Sequence, residues 1–381
     1  MWSSGLRRGR VRGQFPRVKN LIEEKLAGTM FSSKIAFGLL LFVTSLILSR
    51  SQYNNELPSK ISSLNADVLS WFDSEIDSYF DTHMGSLAPG FRPKPADSPT
   101  PLMGFYSAAH KKYKVPEMDV TNKHITVFYP TGYDASSTPP FRLLAYAHGY
   151  GGGGIQTGPV YWEMCTALAS WGYVVTLHHS CDLGCTKKDG KWGFDDYYKE
   201  QLKAIDFVSN MVSQGGDPAF ANLDFQAGVG VVGHSMGGQA TLFSSAYNAS
   251  SHNIKAAVYH HAYTEDLQVP QVPFLSMTSV YDDEADPQKM GKAIFDIEGT
   301  ENLTKGIVST SDYGHHEADI LGFNPLVPQF TVAWMKVLME GTMEEGGVNF
   351  EEMIFGDGDT SICGGGDGDV DKYMCEIIDM R

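Results

Sequence analysis

A mostly parallel α/β sheet, doubly wound and flanked by helices, is the fold class that the sequence predicts. Strand-like apolar runs alternate with helix-like segments through the middle of the chain, which favours parallel strands joined by helical crossovers. One run ends at a glycine-rich turn that leads directly into a helix-like segment. The chain has 381 residues, 42% of them hydrophobic, so it can bury the core of one large domain.

The N-terminal region, residues 1–51, has the composition of a targeting signal. Basic residues are frequent up to Lys34, and an apolar run follows from Ile35 to Leu48. This run fits the core of a signal peptide and is shorter than a membrane-spanning helix, which needs about 20 apolar residues. Ser49 and Ser51 supply small residues for cleavage. The alternative is an uncleaved signal anchor that associates with the membrane through residues 35–48. Both interpretations direct the chain into the secretory route, with secretion favoured.

Three further regions follow the targeting signal. Residues 52–103 combine a loosely amphipathic segment, Leu64 to Phe80, with a proline-rich linker. Residues 104–340 contain the alternating runs and are predicted to form the folded α/β domain. Residues 341–381 are rich in Gly and Asp and are predicted to form an acidic tail.

Within the folded domain, runs of β-branched and aromatic residues bounded by Gly or Pro predict strands, and apolar residues at helical spacing predict helices. The predicted strands are His124–Tyr129, Arg142–Ala147, Tyr173–Leu177, Gly228–Gly233, Ala256–Tyr259, Pro273–Met277 and Gly306–Ser309. The predicted helices are Trp162–Ala169, Tyr198–Val212, Gln239–Tyr247 and Val327–Met339.

Charge and cysteine content restrict the class of protein further. The formal net charge is −16, so the folded part would repel phosphate and a nucleic-acid partner is not expected. Five cysteines suit an oxidising compartment, with Cys181–Cys185 and Cys363–Cys375 as expected disulfides and Cys165 left over. A zinc site from His178, His179, Cys181 and Cys185 is the alternative, but the spacing matches no common zinc motif. Asn248 and Asn302 begin glycosylation triplets.

The glycine-rich turn Gly233-His-Ser235-Met-Gly237 has the spacing of a nucleophile elbow. The glycines are needed because a side chain at either flanking position would collide with the neighbouring strand or helix. The turn would lift Ser235 clear of the sheet and place it at a helix N-terminus, where a developing negative charge is stabilised.

A serine hydroxyl needs a base to take its proton and an acid to orient that base. Downstream of Ser235, the strand from Pro273 runs into Asp282-Asp283, and a later strand is followed by His315-His316. Their order in the chain, acid before base, is that of doubly wound hydrolases. The residues alone leave Asp282 or Asp283 as the acid, and His315 or His316 as the base.

Acyl transfer also requires two hydrogen-bond donors for the oxyanion. The backbone N–H of Met236, directly after the serine, is one candidate. The glycine-rich loop after the strand that ends at Ala147 offers the second, and the N–H of Tyr150 is favoured there. Chemistry of this kind requires no cofactor, and no metal is expected.

These motifs together identify a resemblance. The segments His148-Gly-Tyr150, Leu168 to Val175, Gly233 to Gly238 and Lys255-Ala-Ala257 resemble α/β-hydrolases of the cutinase and polyester-hydrolase group. The segment from Asp312 to Leu321 is similar to chlorophyllases, which share the fold. The resemblance implies Ser235 as nucleophile and His315 as base, in a fold without a large lid. Counting along the acid strand from Pro273 points to Asp282, whereas counting back from Pro287 points to Asp283.

The resemblance implies a serine carboxylic-ester hydrolase that acts on an apolar or aromatic ester of the polyester, cutin or lipid type. The alternatives are a chlorophyllase-type hydrolase of a phytyl ester and a catalytically inactive binding protein on the same fold. Tyr150 and Tyr263 are expected to bind substrate, with Trp162 as a further aromatic near the cleft.

Three histidine doublets, at 178–179, 260–261 and 315–316, end predicted strands. Successive residues of a strand point to opposite sides, so one member of each doublet should face the cleft. We therefore expect one or two histidines beside the catalytic one, as binding groups or hydrogen-bond partners.

Overall fold

The computed structural model describes residues 103–118, 123–152, 160–181, 184–188, 191–310, 314–319, 323–358, 361–364 and 374–381. The predicted targeting signal and the predicted helix from Leu64 to Phe80 lie outside these residues, as does most of the linker. Among the residues described, no helix has the length and apolar character needed to span a membrane.

The strands are β1 (Ser107–Lys114), β2 (His124–Thr131), β3 (Arg142–Ala147), β4 (Tyr173–His178), β5 (Thr186–Lys188), β6 (Lys191–Gly193), β7 (Val229–His234), β8 (Ile254–His260), β9 (Phe274–Ser279), β10 (Lys305–Thr310), β11 (Glu344–Glu345), β12 (Val348–Asn349) and β13 (Glu376–Ile378). The helices are α1 (Trp162–Ser170), α2 (Tyr198–Gln214), α3 (Met236–Tyr247), α4 (Lys292–Phe295), α5 (Leu326–Met335) and α6 (Phe350–Phe355). A π-helical turn, Lys336–Glu340, continues α5.

A nine-stranded sheet, counted over the described residues, has the order β1-β2-β4-β3-β7-β8-β9-β10-β13. The six strands from β4 to β10 in this order pair in parallel, whereas β1, β2 and β13 pair antiparallel at the two ends. The other four strands form the hairpins β5-β6 and β11-β12. The predicted fold class, a mostly parallel sheet flanked by helices, is confirmed.

Both faces of the sheet are buried, and strand β3 shows how. Leu143 and Ala145 belong to one hydrophobic cluster with residues of α2 and α3. Leu144 and Tyr146 belong to the other cluster, with residues of α1 and α5. Alternate side chains of the strand therefore pack against different helical layers, as expected for a parallel strand covered on both faces.

Two edge strands extend the sheet beyond the strands predicted from sequence. Strand β1 lies at one edge and carries three lysines, which suit an edge strand because charged side chains oppose further pairing. Strand β13 comes from the region predicted as an acidic tail and pairs with β10. Phe350 and Ile362 from the same region are completely buried. The described part of residues 341–381 therefore packs as part of the domain.

The expected disulfides Cys181–Cys185 and Cys363–Cys375 are both present, and Cys165 is free and buried. Because Cys181 and Cys185 are bonded to each other, they offer no thiolate for the alternative zinc site. Disulfides of this kind are typical of proteins that fold in an oxidising compartment.

Glycines 233 and 237 allow β7 and α3 to meet at a sharp turn. A Cβ atom on Gly237 would overlap the backbone carbonyl of Ala147, and one on Gly233 would overlap the carbonyl of Gly237. Backbone atoms cannot move aside as side-chain ends can, so these two positions have no room for any side chain.

We predict that Gly237→Ala destabilises the fold by about 3 kcal/mol or more, because its methyl group meets rigid backbone. Gly230→Ala is the matched control: it lies in the adjoining strand β7, and its methyl group would meet the movable side-chain ends of Leu144, Met335 and Met339. Urea unfolding of both variants measures the difference. An equal loss of stability would contradict the proposed backbone overlap.

Candidate active site

Ser235 lies between the last residue of β7 and the first residue of α3, in a backbone conformation that non-glycine residues rarely adopt, with φ 55° and ψ −119°. Four backbone hydrogen bonds hold it there, the longest from Gln239 N to Ser235 O at 3.3 Å. Ser235 N donates to His260 O (2.9 Å), while Tyr263 N and Gly238 N donate to Ser235 O (3.0 and 2.8 Å). Strain that persists under such constraint is characteristic of functional sites.

His315 links Ser235 to Asp282. Its Nε2 atom lies 2.7 Å from Ser235 Oγ, and its Nδ1 atom lies 2.9 Å from Oδ2 and 3.1 Å from Oδ1 of Asp282. The neighbouring residues lie elsewhere: Asp283 is exposed, and His316 Nδ1 instead contacts Asp319 Oδ2 at 2.7 Å. The structure thus brings Ser235, His315 and Asp282 together.

Asp282 is held as a carboxylate. Burial alone would raise its pKa, but hydrogen bonds from His261 and His315 hold the pKa well below its ordinary value. Its Oδ1 atom also accepts from the backbone N–H groups of Glu284 (3.0 Å) and Ala285 (2.7 Å). Asp282 is therefore ionised at neutral pH, with a fixed orientation.

A hydrogen-bonded chain through His234 connects the loops that surround Ser235. Burial holds the pKa of His234 far below its ordinary value, so its ring is neutral, with one donor and one acceptor nitrogen. Its Nε2–H donates to His315 O (2.7 Å), so its Nδ1 accepts from the Tyr161 hydroxyl (2.8 Å). That hydroxyl in turn accepts from Gly149 N at 2.8 Å. The loops that carry Gly149 and His315 are thus joined by a chain of hydrogen bonds in which the donor and the acceptor of each bond are determined.

The two predicted oxyanion donors belong to the residue after Ser235 and to the residue after Gly149. Met236 is the first residue of α3, whose N-terminus points its N–H groups toward the elbow. Gly149 packs so closely on Ser235 that a Cβ at Gly149 would lie 3.2 Å from the serine Cβ. The following N–H group belongs to Tyr150, in the same tight turn as the Gly152 N to Gly149 O hydrogen bond.

The predicted aromatic residues separate into two groups. Tyr150 and Tyr263 are 43% and 36% exposed, and both adjoin backbone that contacts Ser235. Trp162 differs from its prediction: it is 6% exposed and packs against His110 and Phe128. Helical spacing placed Trp162 correctly on α1, but that face of α1 covers the sheet and does not reach the site.

A family model of PET hydrolase-like proteins matches residues 95–345, about two thirds of the chain. The chain belongs to the PET hydrolase-like family. Members of this family are carboxylic ester hydrolases with the α/β-hydrolase fold, and the resemblance to polyester hydrolases stated from sequence is confirmed. A comparison with curated protein sequences finds no match.

The histidine doublets of this PET hydrolase-like chain are more buried than predicted. His178, His179, His260 and His261 all have less than 4% of their surface exposed, so none of them is a binding group at the surface. The members of a doublet do point apart. His260 contacts Thr331 Oγ1 at 2.8 Å, whereas His261 Nδ1 contacts Asp282 Oδ2 at 3.1 Å.

The sequence did not identify His261 individually as a site residue. It indicated only that one member of the doublet at 260–261 should face the cleft. Burial alone would lower its pKa, but the nearby carboxylates of Asp282 and Glu317 raise the pKa to about 9. His261 is therefore an imidazolium at neutral pH, between two buried carboxylates.

Nitrogen atoms of His261 and His315 and an oxygen of Asp282 lie within 4.8 Å of one another, a spacing that could also suit a metal ion. The hydrogen bonds of Asp282 argue against this use. Its two oxygens already face two imidazole nitrogens and two backbone amides. The cation that Asp282 contacts in this cluster is the His261 imidazolium.

We predict that His261 makes stability depend on pH above neutrality. Because its pKa rises from an ordinary value of about 6.5 to about 9 on folding, its contribution is complete below pH 6.5 and is lost as pH rises through 9. The thermal midpoint of the wild type should therefore fall toward that of the double variant His261→Asn/Glu317→Gln as pH rises from 6.5 to 9. Each kcal/mol of stability lost corresponds to a decrease of about 2–4 °C. A gap that stays constant from pH 6.5 to 9.5 would refute the assignment.

Proposed function

We propose that this protein is a serine carboxylic-ester hydrolase that works through an acyl-enzyme. Ser235 is the nucleophile, His315 is the general base and then the general acid, and Asp282 orients the imidazole. The observation that supports this most strongly is the series of hydrogen bonds from Ser235 Oγ through both nitrogens of His315 to the carboxylate of Asp282. Membership of the PET hydrolase-like family supports the same reaction class.

In this mechanism the ionised Asp282 accepts the Nδ1–H of His315, which leaves Nε2 free to take the Ser235 proton. Ser235 Oγ attacks the acyl carbon, and the alcohol leaves with the proton that His315 returns to it. Water then attacks the acyl-enzyme while His315 again takes a proton. The acid is released, and Ser235 regains its hydrogen from His315.

The oxyanion of each tetrahedral intermediate is held by the backbone N–H groups of Met236 and Tyr150. The position of Met236 at the start of α3 supports this role, since a helix N-terminus favours negative charge. The close packing of Gly149 on Ser235 supports the role of Tyr150 N–H. The mechanism uses no cofactor.

The proposed substrate is an apolar or aromatic ester, of the polyester, cutin or lipid class. Exposed tyrosines adjoin the site residues in the chain: Tyr150 follows Gly149, Tyr263 N bonds to Ser235 O, and Tyr281 precedes Asp282. Residues 261–272 form a loop that contains no helix and exposes Leu267 and Val269. A large apolar substrate could contact the surface of this loop.

We further infer that the protein enters the secretory route and is secreted. The two disulfides support an oxidising compartment, and the apolar run from Ile35 to Leu48 has the length of a signal-peptide core. Membrane association through residues 35–48 is the alternative. N-terminal sequencing of protein isolated from cells distinguishes a cleaved signal from an uncleaved anchor.

We predict that Ser235→Ala and His315→Ala each lower kcat for a short nitrophenyl ester by on the order of 10⁴-fold or more, since each removes an essential group. His316→Ala is the matched control and should retain activity, because His316 contacts Asp319 and not the serine. A fluorophosphonate probe should label the wild type and not Ser235→Ala. An unlabelled wild type would instead support an inactive binding protein on this fold.

We predict that neutral aromatic diesters are hydrolysed faster than the corresponding anionic half-esters. The net charge of −16 and the half-exposed Glu284, whose Oε2 lies 3.9 Å from His315 Nε2, repel a carboxylate. For one aromatic diacid, kcat/KM should differ by about tenfold, and less at high salt because salt screens exposed charges. Phytyl, triglyceride and polymer esters in the same panel separate the substrate classes. Equal rates for the diester and half-ester would exclude this charge selection.

A further inference from the structure

His261 and His315 bind the same carboxylate oxygen. The Nδ1 atom of His261 lies 3.1 Å from Asp282 Oδ2, and the Nδ1 atom of His315 lies 2.9 Å from that oxygen. Only His315 reaches Ser235, so the proposed mechanism uses one of the two imidazoles. The second one is buried, with a side chain that has no exposed surface.

The other nitrogen of His261 faces a second buried carboxylate. Its Nε2 atom lies 3.5 Å from Glu317 Oε2, an electrostatic contact at the outer limit of a hydrogen bond. Asn324 Nδ2 donates to the same oxygen at 3.3 Å, and the Thr310 hydroxyl donates to Oε1. The Nε2 atom of His261 has no hydrogen-bond partner among the described residues, so its link to Glu317 is electrostatic. A carboxylate can only accept a hydrogen bond, and two carboxylates beside one ring favour the ring that carries a hydrogen on each nitrogen. The position between two carboxylates therefore favours a cationic His261.

The backbone holds His261 in this position at a cost. Its φ of 47° lies in the left-handed region, which is rare for a non-glycine residue, and its N–H donates to Met277 O at 2.8 Å. The next residue, Ala262, packs directly against Gly238 of α3. Strain of this kind is retained where the surrounding structure requires one orientation of the side chain.

We propose that His261, fixed in place by Glu317, is a positioning residue for Asp282. It binds Oδ2 of Asp282 and reduces the stabilisation that this carboxylate gives to the protonated form of His315. This inference rests on the proposed function. A cation beside Asp282 at neutral and acidic pH offsets part of its negative charge, so the catalytic imidazole stays free to act as a base at lower pH. Glu317 acts only through His261.

The contrast with the neighbouring histidine supports the inference. His260 is equally buried, but its ring faces the hydroxyls of Tyr146 and Thr331, and burial lowers its pKa to about 3. Burial also opposes the charge of His261, yet its two carboxylate neighbours raise its pKa to about 9. The other titratable groups near His261 are His234, His260, His315 and His316. Among all these neighbours, Asp282 and Glu317 are the groups that favour its charge.

The kinetic test compares the pH profile of kcat/KM for wild type, His261→Asn and His261→Asn/Glu317→Gln. An Asn can still donate to Asp282 but carries no charge. The acid limb of the profile should therefore move to higher pH by about one pH unit in both variants. On the acidic side of the limb, kcat/KM should then be about tenfold lower than in the wild type. The double variant avoids an unpaired buried Glu317, so it should recover thermal stability relative to the single variant without recovering the acid limb.

His260→Asn is the matched control, since it replaces an adjacent histidine of equal burial that does not contact Asp282. It should lower stability and leave the acid limb where the wild type has it. Unshifted limbs in both His261 variants, or an equal shift in His260→Asn, would overturn the inference. An inactive wild type would count against the proposed function, whereas an active wild type with unshifted variants counts against this inference alone.

A measurement without a His261 substitution covers the case in which the variants do not fold. In ¹⁵N-histidine-labelled His316→Ala protein, long-range ¹H–¹⁵N spectra should show one imidazolium that persists at pH 8. The His316→Ala background is needed because hydrogen bonding to Asp319 also raises the pKa of His316, against the opposing effect of burial. Neutral rings for every histidine at pH 8 would overturn the inference.

Discussion

The strained backbone of Ser235 is the constraint on which the rest of this site depends. A positive φ at a serine is maintained because β8, α3 and the loop after β8 converge on it through four backbone hydrogen bonds. The same convergence leaves no room for a side chain at Gly233 or Gly237. The close packing that produces the strain also aligns the carboxyl ends of β7, β8 and β9. Residues that follow different strands therefore meet around one hydroxyl group.

Buried charge is the second organising feature. Asp282 and Glu317 are shielded carboxylates, and each would be costly to bury alone. His261 lies between them, so two negative charges share one positive charge, and backbone amides and neutral polar side chains complete the hydrogen bonding. The hydrogen-bonded chain through Tyr161 and His234 contains no charge, because burial keeps His234 neutral. The two networks meet at His315, one at its ring and the other at its backbone carbonyl.

The order and type of the central elements could be predicted because each apolar run is long enough to be buried. Arg142–Ala147 has the predicted bounds, and the observed β7 and α3 meet at the predicted turn. The edge strands could not be predicted in this way. Strand β1 is largely polar, and β13 is three residues long in a glycine-rich acidic region. Their place in the sheet comes from backbone pairing with β2 and β10, which leaves no hydrophobic pattern in the sequence.

For the site, the sequence by itself determined the position of Ser235 and the two short segments from which an acid and a base could come. The nucleophile could be located because its strained turn requires glycines at fixed spacing. Only the tertiary structure decided between Asp282 and Asp283, between His315 and His316, and between His260 and His261. Adjacent residues at a strand end point in different directions, and nothing local selects which one faces a partner 20 or more positions away. That selection is made when separate strands pack side by side, because only then do the hydrogen-bonding and charge requirements of each side chain meet those of another.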